Sequence, residues 1–227
     1  MTLSLFDQFA SPVFLAMPLV ILAIIIPWSM YPTPSNQWLQ SRALNILSWL
    51  FMTLAKQMVM PINLKGRKWA LILLSTLTLL LTLNMMGTLP YTFTPTTQLC
   101  MSLGLAFPLW LATVLMGLRH YPLRTIAHLV PESTPSALIP ALIAIETISL
   151  LVRPLALGVR LAANLTAGHM ILQMIASTAL GLLYTVSSGG LVVMVILYAL
   201  TLLELMVAAI QAYVFVLLLS LYLQENT

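Results

Sequence analysis

From Ala137 to Leu183, and again from Gly189 to Leu223, the chain runs through apolar residues with few interruptions. At a rise of about 1.5 Å per residue, the second stretch alone would be about 50 Å long if helical, against a bilayer hydrocarbon core of about 30 Å. Upright helices of that length would carry apolar surface out into water. Each stretch therefore either breaks into two spans or lies steeply tilted as one helix. The breakers within 137–183 are Pro140, Pro154, Gly158 and Gly168, with no Asn-Gly or Pro-Gly turn among them. Turn chemistry gathers instead at 184–190, Tyr-Thr-Val-Ser-Ser-Gly-Gly, which reads as the one loop. The pattern favours a single hairpin of two long, steeply tilted helices over 136–227.

Composition places the rest of the chain in lipid as well. Hydrophobic residues make up 61% of the 227 positions and charged ones only 6%, and mean hydropathy is +1.04. A soluble protein needs roughly a quarter of its residues charged. The chain is thus expected to be one integral membrane domain, 1–227, all-α, with transmembrane and surface helices in 1–135 and the hairpin in 136–227. Its net charge of +4 could suit a nucleic acid, but the basic residues lie in connections between apolar runs, which argues for no nucleic-acid partner. The lone Cys100 leaves no disulfide framework and no cysteine metal site. No basic region precedes the first apolar run, which argues against a cleaved signal or transit peptide.

Three roughly upright spans are predicted in the first half: Pro12 to about Met30, about Trp69 to Met86, and Leu99 to Leu118. Pro18 and Pro27 are tolerable in a membrane helix, and Pro90 and Pro95 mark the turn between the second and third spans. Residues 36–64 differ. Leu39, Leu44, Leu47, Leu50, Phe51 and Leu54 recur at near-helical spacing among Gln40, Arg42, Asn45, Lys56 and Gln57. They read as an amphipathic helix on the membrane surface, with a soluble helical hairpin or an extra span as alternatives. Arg42, Lys56, Lys65, Arg67 and Lys68 follow the first span, Arg119 and Arg124 follow the third, and none lies in the turn from about Gly87 to Gln98. The positive-inside bias puts the first and third connections in the basic-rich compartment and the N-terminus opposite.

Glu146, Arg153, Arg160, His169 and Glu204 lie deep inside apolar stretches. A charge at the bilayer centre costs roughly 3 kcal/mol even on the mildest scale, so such residues face protein, water or one another and by default mark an ion path. The bland alternative is a salt bridge gluing two helices. Glu146, Arg153 and Arg160 recur at intervals of seven, drifting only about 20° per step, so they share one helix face. Asn164 stays near that face, whereas His169 falls close to the opposite side. Glu146 and His169 would sit about 35 Å apart along the axis. On the last helix Glu204 and Gln211 are again seven apart. Glu and His can exchange protons near neutral pH once burial shifts them, whereas Arg is a fixed positive charge. Titratable groups on either side of a fixed charge suit proton transfer with a barrier between two access routes.

The segments Glu-Thr-Ile-Ser-Leu-Leu at 146–151, Arg160-Leu-Ala-Ala-Asn164-Leu-Thr-Ala-Gly-His169, Leu203-Glu204 and Ile210-Gln211-Ala-Tyr213-Val-Phe215 resemble subunit a of ATP synthases, most of all the animal mitochondrial form. The resemblance is collinear over the whole chain. It implies two near-horizontal helices curved against a ring of c-subunits, with aqueous half-channels to opposite sides. Arg160 would be the essential arginine facing the ring carboxylate. His169 and Glu204 would line the intermembrane-side half-channel and Glu146 the matrix-side one, with Asn164 and Gln211 as polar support. The implied partners are protons, lipid, the c-ring, other Fo subunits and the peripheral stalk, and the implied place is the mitochondrial inner membrane. No cofactor, metal or catalytic residue is implied, since ATP chemistry belongs to other subunits. Arg153 departs from the pattern, which needs one arginine, and is assigned a structural or surface role near the matrix-side mouth. Tyr198 and Tyr213 read as packing, and His120 and His128 as solvated residues of a basic connection. The methionines read as lipid-facing or packing.

Three rivals fare worse. A lone secondary transporter would show repeated halves around a central site, and no internal repeat is found. An antiporter-like respiratory subunit would place lysines inside its spans, whereas Lys56, Lys65 and Lys68 lie at or outside span ends. An enzyme on a diffusible substrate would need a phosphate loop, a metal cluster or a nucleophile beside a base.

Overall fold

Helices follow the apolar runs. The computed structural model describes residues 9–10, 13–14, 17–29, 42–59, 66–89, 92–120, 122, 139–185 and 187–226. Its helices are α1 (Leu19–Ser29), α2 (Arg42–Val59), α3 (Ala70–Gly87), α4 (Leu99–His120), α5 (Ile139–Thr185) and α6 (Ser187–Asn226), with 3₁₀ turns at Gly66–Trp69 and Pro95–Thr97. Ala70–Gly87, Leu99–His120, Ile139–Thr185 and Gly189–Asn226 are each long and apolar enough to cross a membrane. The chain is a multi-pass membrane protein.

The 47 residues of α5 and 40 of α6 would extend about 70 and 60 Å. Neither fits upright in about 30 Å of hydrocarbon, and neither breaks into two spans. Pro140 sits in the first turn of α5, where a missing N–H costs nothing. Pro154 removes one ladder bond, to the carbonyl of Leu150, and the helix continues through it.

Two expectations shift in the structure. The seven-residue loop at 184–190 contracts, because α5 reaches Thr185 and α6 begins at Ser187. Gly190 serves closeness rather than turning: a Cβ there would lie 2.5 Å from Leu183 Cδ2 and 2.9 Å from its Cα. The helix of the first apolar run starts at Leu19, not Pro12, and has 11 residues. Before it, Val13–Phe14 and Met17–Pro18 pair as a two-residue antiparallel ladder (β1 and β2). Pro18 lacks the N–H a helix interior would need, so the helix begins just beyond it. Lys65, Arg124, His128, and residues 36–41 and 60–64 of the amphipathic segment lie outside the described residues.

Within α2, Ile46, Trp49 and Met52 are exposed apolar residues, and Lys56 stands in the last turn, where a cation complements the helix dipole.

The chain divides into two compact units, Met1–Tyr31 with Thr78–Ser102 and Arg160–Tyr213, and Pro32–Leu77 with Leu103–Val159 and Val214–Thr227. The first unit is closed by Leu80, Leu83, Leu161, Ala162, Leu165, Ala179, Ala208 and Ala212, all nearly inaccessible. In lipid there is no hydrophobic drive between helices, so small residues that let backbones approach carry the packing. Polar glue adds to it: Asn84 Nδ2 donates to the Ala208 carbonyl at 3.2 Å. The second unit buries Leu73, Leu77, Ala106, Trp110, Leu157, Phe215, Val216, Leu219 and Leu223. Helix hydroxyls satisfy themselves on the preceding turn, as Thr76 does on Leu73, Thr113 on Trp110 and Ser220 on Leu217, which suits a medium without water.

Candidate functional site

In the first unit α5 and α6 bring His169 and Glu204 together, with His169 Nδ1 3.7 Å from Glu204 Oε1. That distance is an ion-pair contact but too long for a hydrogen bond. Glu204 is 6% exposed and the His169 side chain is half-buried. Gly168 makes the approach possible, because a Cβ there would meet Glu204 Oε1 at 2.7 Å. The obstructing atom is the mobile end of a side chain, so Gly168→Ala is expected to assemble normally while displacing the carboxylate. On the proton-path reading of the sequence, transport should fall about three- to tenfold, the scale of misplacing a reacting group by a fraction of an ångström. Unchanged transport would show that the carboxylate's position is not critical.

Five buried polar atoms of this unit lack a hydrogen-bond partner among the described residues: His169 Nε2, Glu204 Oε1, Gln173 Oε1, Asn84 Oδ1 and Thr96 Oγ1. Each buried orphan costs about 1–3 kcal/mol unless water reaches it. Gln173, four residues on from His169, shares its face of α5. Sequence reading passed over Asn84, Thr96 and Gln173. The helical spacing from His169 could have flagged Gln173, and a lone amide in an apolar span could have flagged Asn84. Gln211 is half-buried on α6.

Arg160 and Asn164 are exposed on the opposite side of α5, and among the described residues Arg160 makes no ion pair or hydrogen bond. Ala156, Ala163 and Ala167, also exposed, fall on the same helix face as Arg160. Glu146 lies in the second unit, beside Arg153, with 3.7 Å between Oε1 and Nη2. That contact agrees with the shared face read from their seven-residue spacing. Among the described residues no group of three or more His, Cys, Asp or Glu could hold a metal ion.

A family model described as the ATP synthase A chain matches residues 13–224. Among curated relatives, the ATP synthase F(0) complex subunit a of Salmo salar is 56% identical over 226 residues, covering 100% of each chain. The subunits of the same name from Struthio camelus and Latimeria chalumnae are 58% and 56% identical, again over 226 residues and 100% of each chain. With the match running over nearly the whole chain, the chain belongs to the ATP synthase A chain family.

Proposed function

We propose that the chain is the stator subunit a of an ATP synthase F(0) sector, passing protons through two half-channels to and from a rotating c-ring and so coupling their flow to ATP synthesis. The observation that carries this reading is the pair Glu204–His169, 3.7 Å apart, on the side of α5 opposite Arg160, in a unit that buries further polar atoms without a partner among the described residues. Water reaching those atoms would form one half-channel, with Glu204 and His169 as its proton-exchanging groups. Asn84, Thr96 and Gln173 would hold its water.

Arg160 stands on an exposed face with Ala156, Ala163 and Ala167, small enough to let a facing helix approach closely. A ring carboxylate passing there would meet a permanent positive charge, which favours its ionised form and bars direct proton passage between the half-channels. Asn164, one turn on, and Gln211 on α6 would support the arginine or its water. Glu146 would line the second half-channel, toward the matrix. The subunit does no ATP chemistry itself. Its proposed partners are the c-ring, other Fo and peripheral-stalk subunits and lipid, and its proposed place is the mitochondrial inner membrane, with Arg42, Lys56 and Arg119 on the matrix side.

Thiol labelling tests the water route. With Cys100→Ser as background, Asn84→Cys and Gln173→Cys are expected to react with a small water-soluble thiol reagent in vesicles of the assembled complex. A cysteine placed at lipid-exposed Leu191, 65% exposed, should react at least about tenfold more slowly, because the thiolate is scarce in lipid. Equal, slow reaction at all three positions would reject a water-filled route.

A further inference from the structure

The second unit holds a charge cluster that the proton path as read so far does not use. Arg153 Nη1 donates to Glu225 Oε2 on α6 at 3.0 Å. Its Nη2 lies 3.7 Å from Glu146 Oε1 on its own helix. The Tyr222 ring packs against the guanidinium, 5.4 Å from centroid to Cζ, and limits the swing of the fork. The side chains of Arg153, Glu146 and Glu225 are 32%, 40% and 60% exposed, so the cluster stands at the surface of its unit rather than in a sealed core.

The two carboxylates hold the arginine unequally. At 3.0 Å the contact with Glu225 is a charge-assisted hydrogen bond, whereas 3.7 Å leaves Glu146 in the field of the cation but outside hydrogen-bond range. The guanidinium stays charged under all conditions, so whatever anion Glu225 ceases to supply, Glu146 must. A tie meant only to fasten α5 to α6 would need Arg153 and Glu225 alone. The approach of Glu146 to the same fork makes the group a three-membered balance.

We propose that Arg153 is a positioning residue for the Glu146 carboxylate, and that Glu225 is the competing anion that keeps Glu146 off the guanidinium and free to exchange protons. The inference rests on the reading of Glu146 as the matrix-side half-channel carboxylate. Loss of Glu225 turns Arg153 wholly onto Glu146, which is then held on the guanidinium and withdrawn from the proton path. Loss of Arg153 as well releases it.

The test is ATP-driven proton pumping by the intact complex in membrane vesicles, expressed per assembled complex. E225Q should slow pumping about tenfold or more, the effect of a new charged hydrogen bond on Glu146. E225D, which keeps the charge, should pump at nearly the wild-type rate. The double variant E225Q/R153Q should pump faster than E225Q alone, a rescue that a purely structural tie cannot give. A double variant as slow as the product of the single effects, or E225Q pumping normally per complex, would overturn the inference. Should E225Q fail to assemble, E225D decides: E225D pumping about threefold or more below the wild-type rate per assembled complex would overturn it. E146Q separates the two layers. Normal pumping by E146Q would remove the half-channel role of Glu146 and this inference with it, whereas slow E146Q without rescue in the double variant removes the inference alone.

Discussion

Arg160→Ala is expected to abolish ATP synthesis driven by a proton gradient while the subunit still assembles. Arg160 is exposed on α5 and makes no ion pair or hydrogen bond among the described residues, so its removal breaks no contact that holds those helices together. What it removes is a permanent charge aimed outward. In the proposed mechanism, a passing ring carboxylate then has no reason to release its proton at this point, and protons gain a direct way between the two half-channels. The loss should be about a hundredfold or more, the scale of deleting a fixed donor aimed at a developing charge, and passive proton leak should rise. Arg160→Lys keeps a charge but not the planar fork, and should recover only part of the rate. The measurement is synthesis and leak in the same vesicles, with assembly followed in parallel. Normal synthesis would remove Arg160 from the mechanism and leave the coupling to Glu146, His169 and Glu204.

Glu204→Gln should reduce proton flow about a hundredfold or more, the usual contribution of one positioned proton-transferring group. The amide fills the space of the carboxyl, so the packing around Ala208 and Gly168 stays as it is. It cannot bind and release a proton. Glu204→Asp keeps that ability on a side chain one carbon shorter, and the contact with His169, already 3.7 Å, would lengthen, so an intermediate rate is expected. His169→Gln leaves Glu204 in place and should cost less than Glu204→Gln. ATP-driven acidification of vesicles, corrected for the amount of assembled complex, ranks the three. Equal rates for Glu204→Gln and the unaltered complex would remove Glu204 from the path.

The hairpin was legible in the sequence because length and turn chemistry together decide it. Apolar stretches far longer than the bilayer is thick, with no turn chemistry inside, have few ways to fold. The charges inside them were legible for the same reason, since Glu204 and Arg160 are costly in lipid without a purpose. Which groups meet was not. The tie between Asn84 and Ala208 joins residues 124 positions apart, and the tie between Arg153 and Glu225 spans 72. Helical phase can say that Arg153 and Glu146 share a face, and they do meet, but it cannot find a partner on another helix. Gly190 misled for a different reason. A Gly pair after Ser-Ser reads as a turn, and only the approach of Leu183 reveals that Gly190 is needed for its missing side chain. At the other end, the apolar run from Pro12 looked uniform in hydropathy, while the backbone is governed by the missing N–H of Pro18.

The long separation between Arg153 and Glu225 bears on how the hairpin is made. A chain emerging from a ribosome delivers Arg153 to the membrane well before Glu225 exists. His169 likewise precedes Glu204, and the contact of Leu183 with Gly190 is available first of all. During synthesis the partners therefore become available from the bend outward, the bend first, then His169 with Glu204, and the arginine clasp last. Until that last step a permanent cation on α5 lacks the anion that holds it most tightly. A chain halted short of Glu225 would leave that cation with Glu146 alone, so the clasp doubles as a mark that synthesis has run past the whole of the proton path.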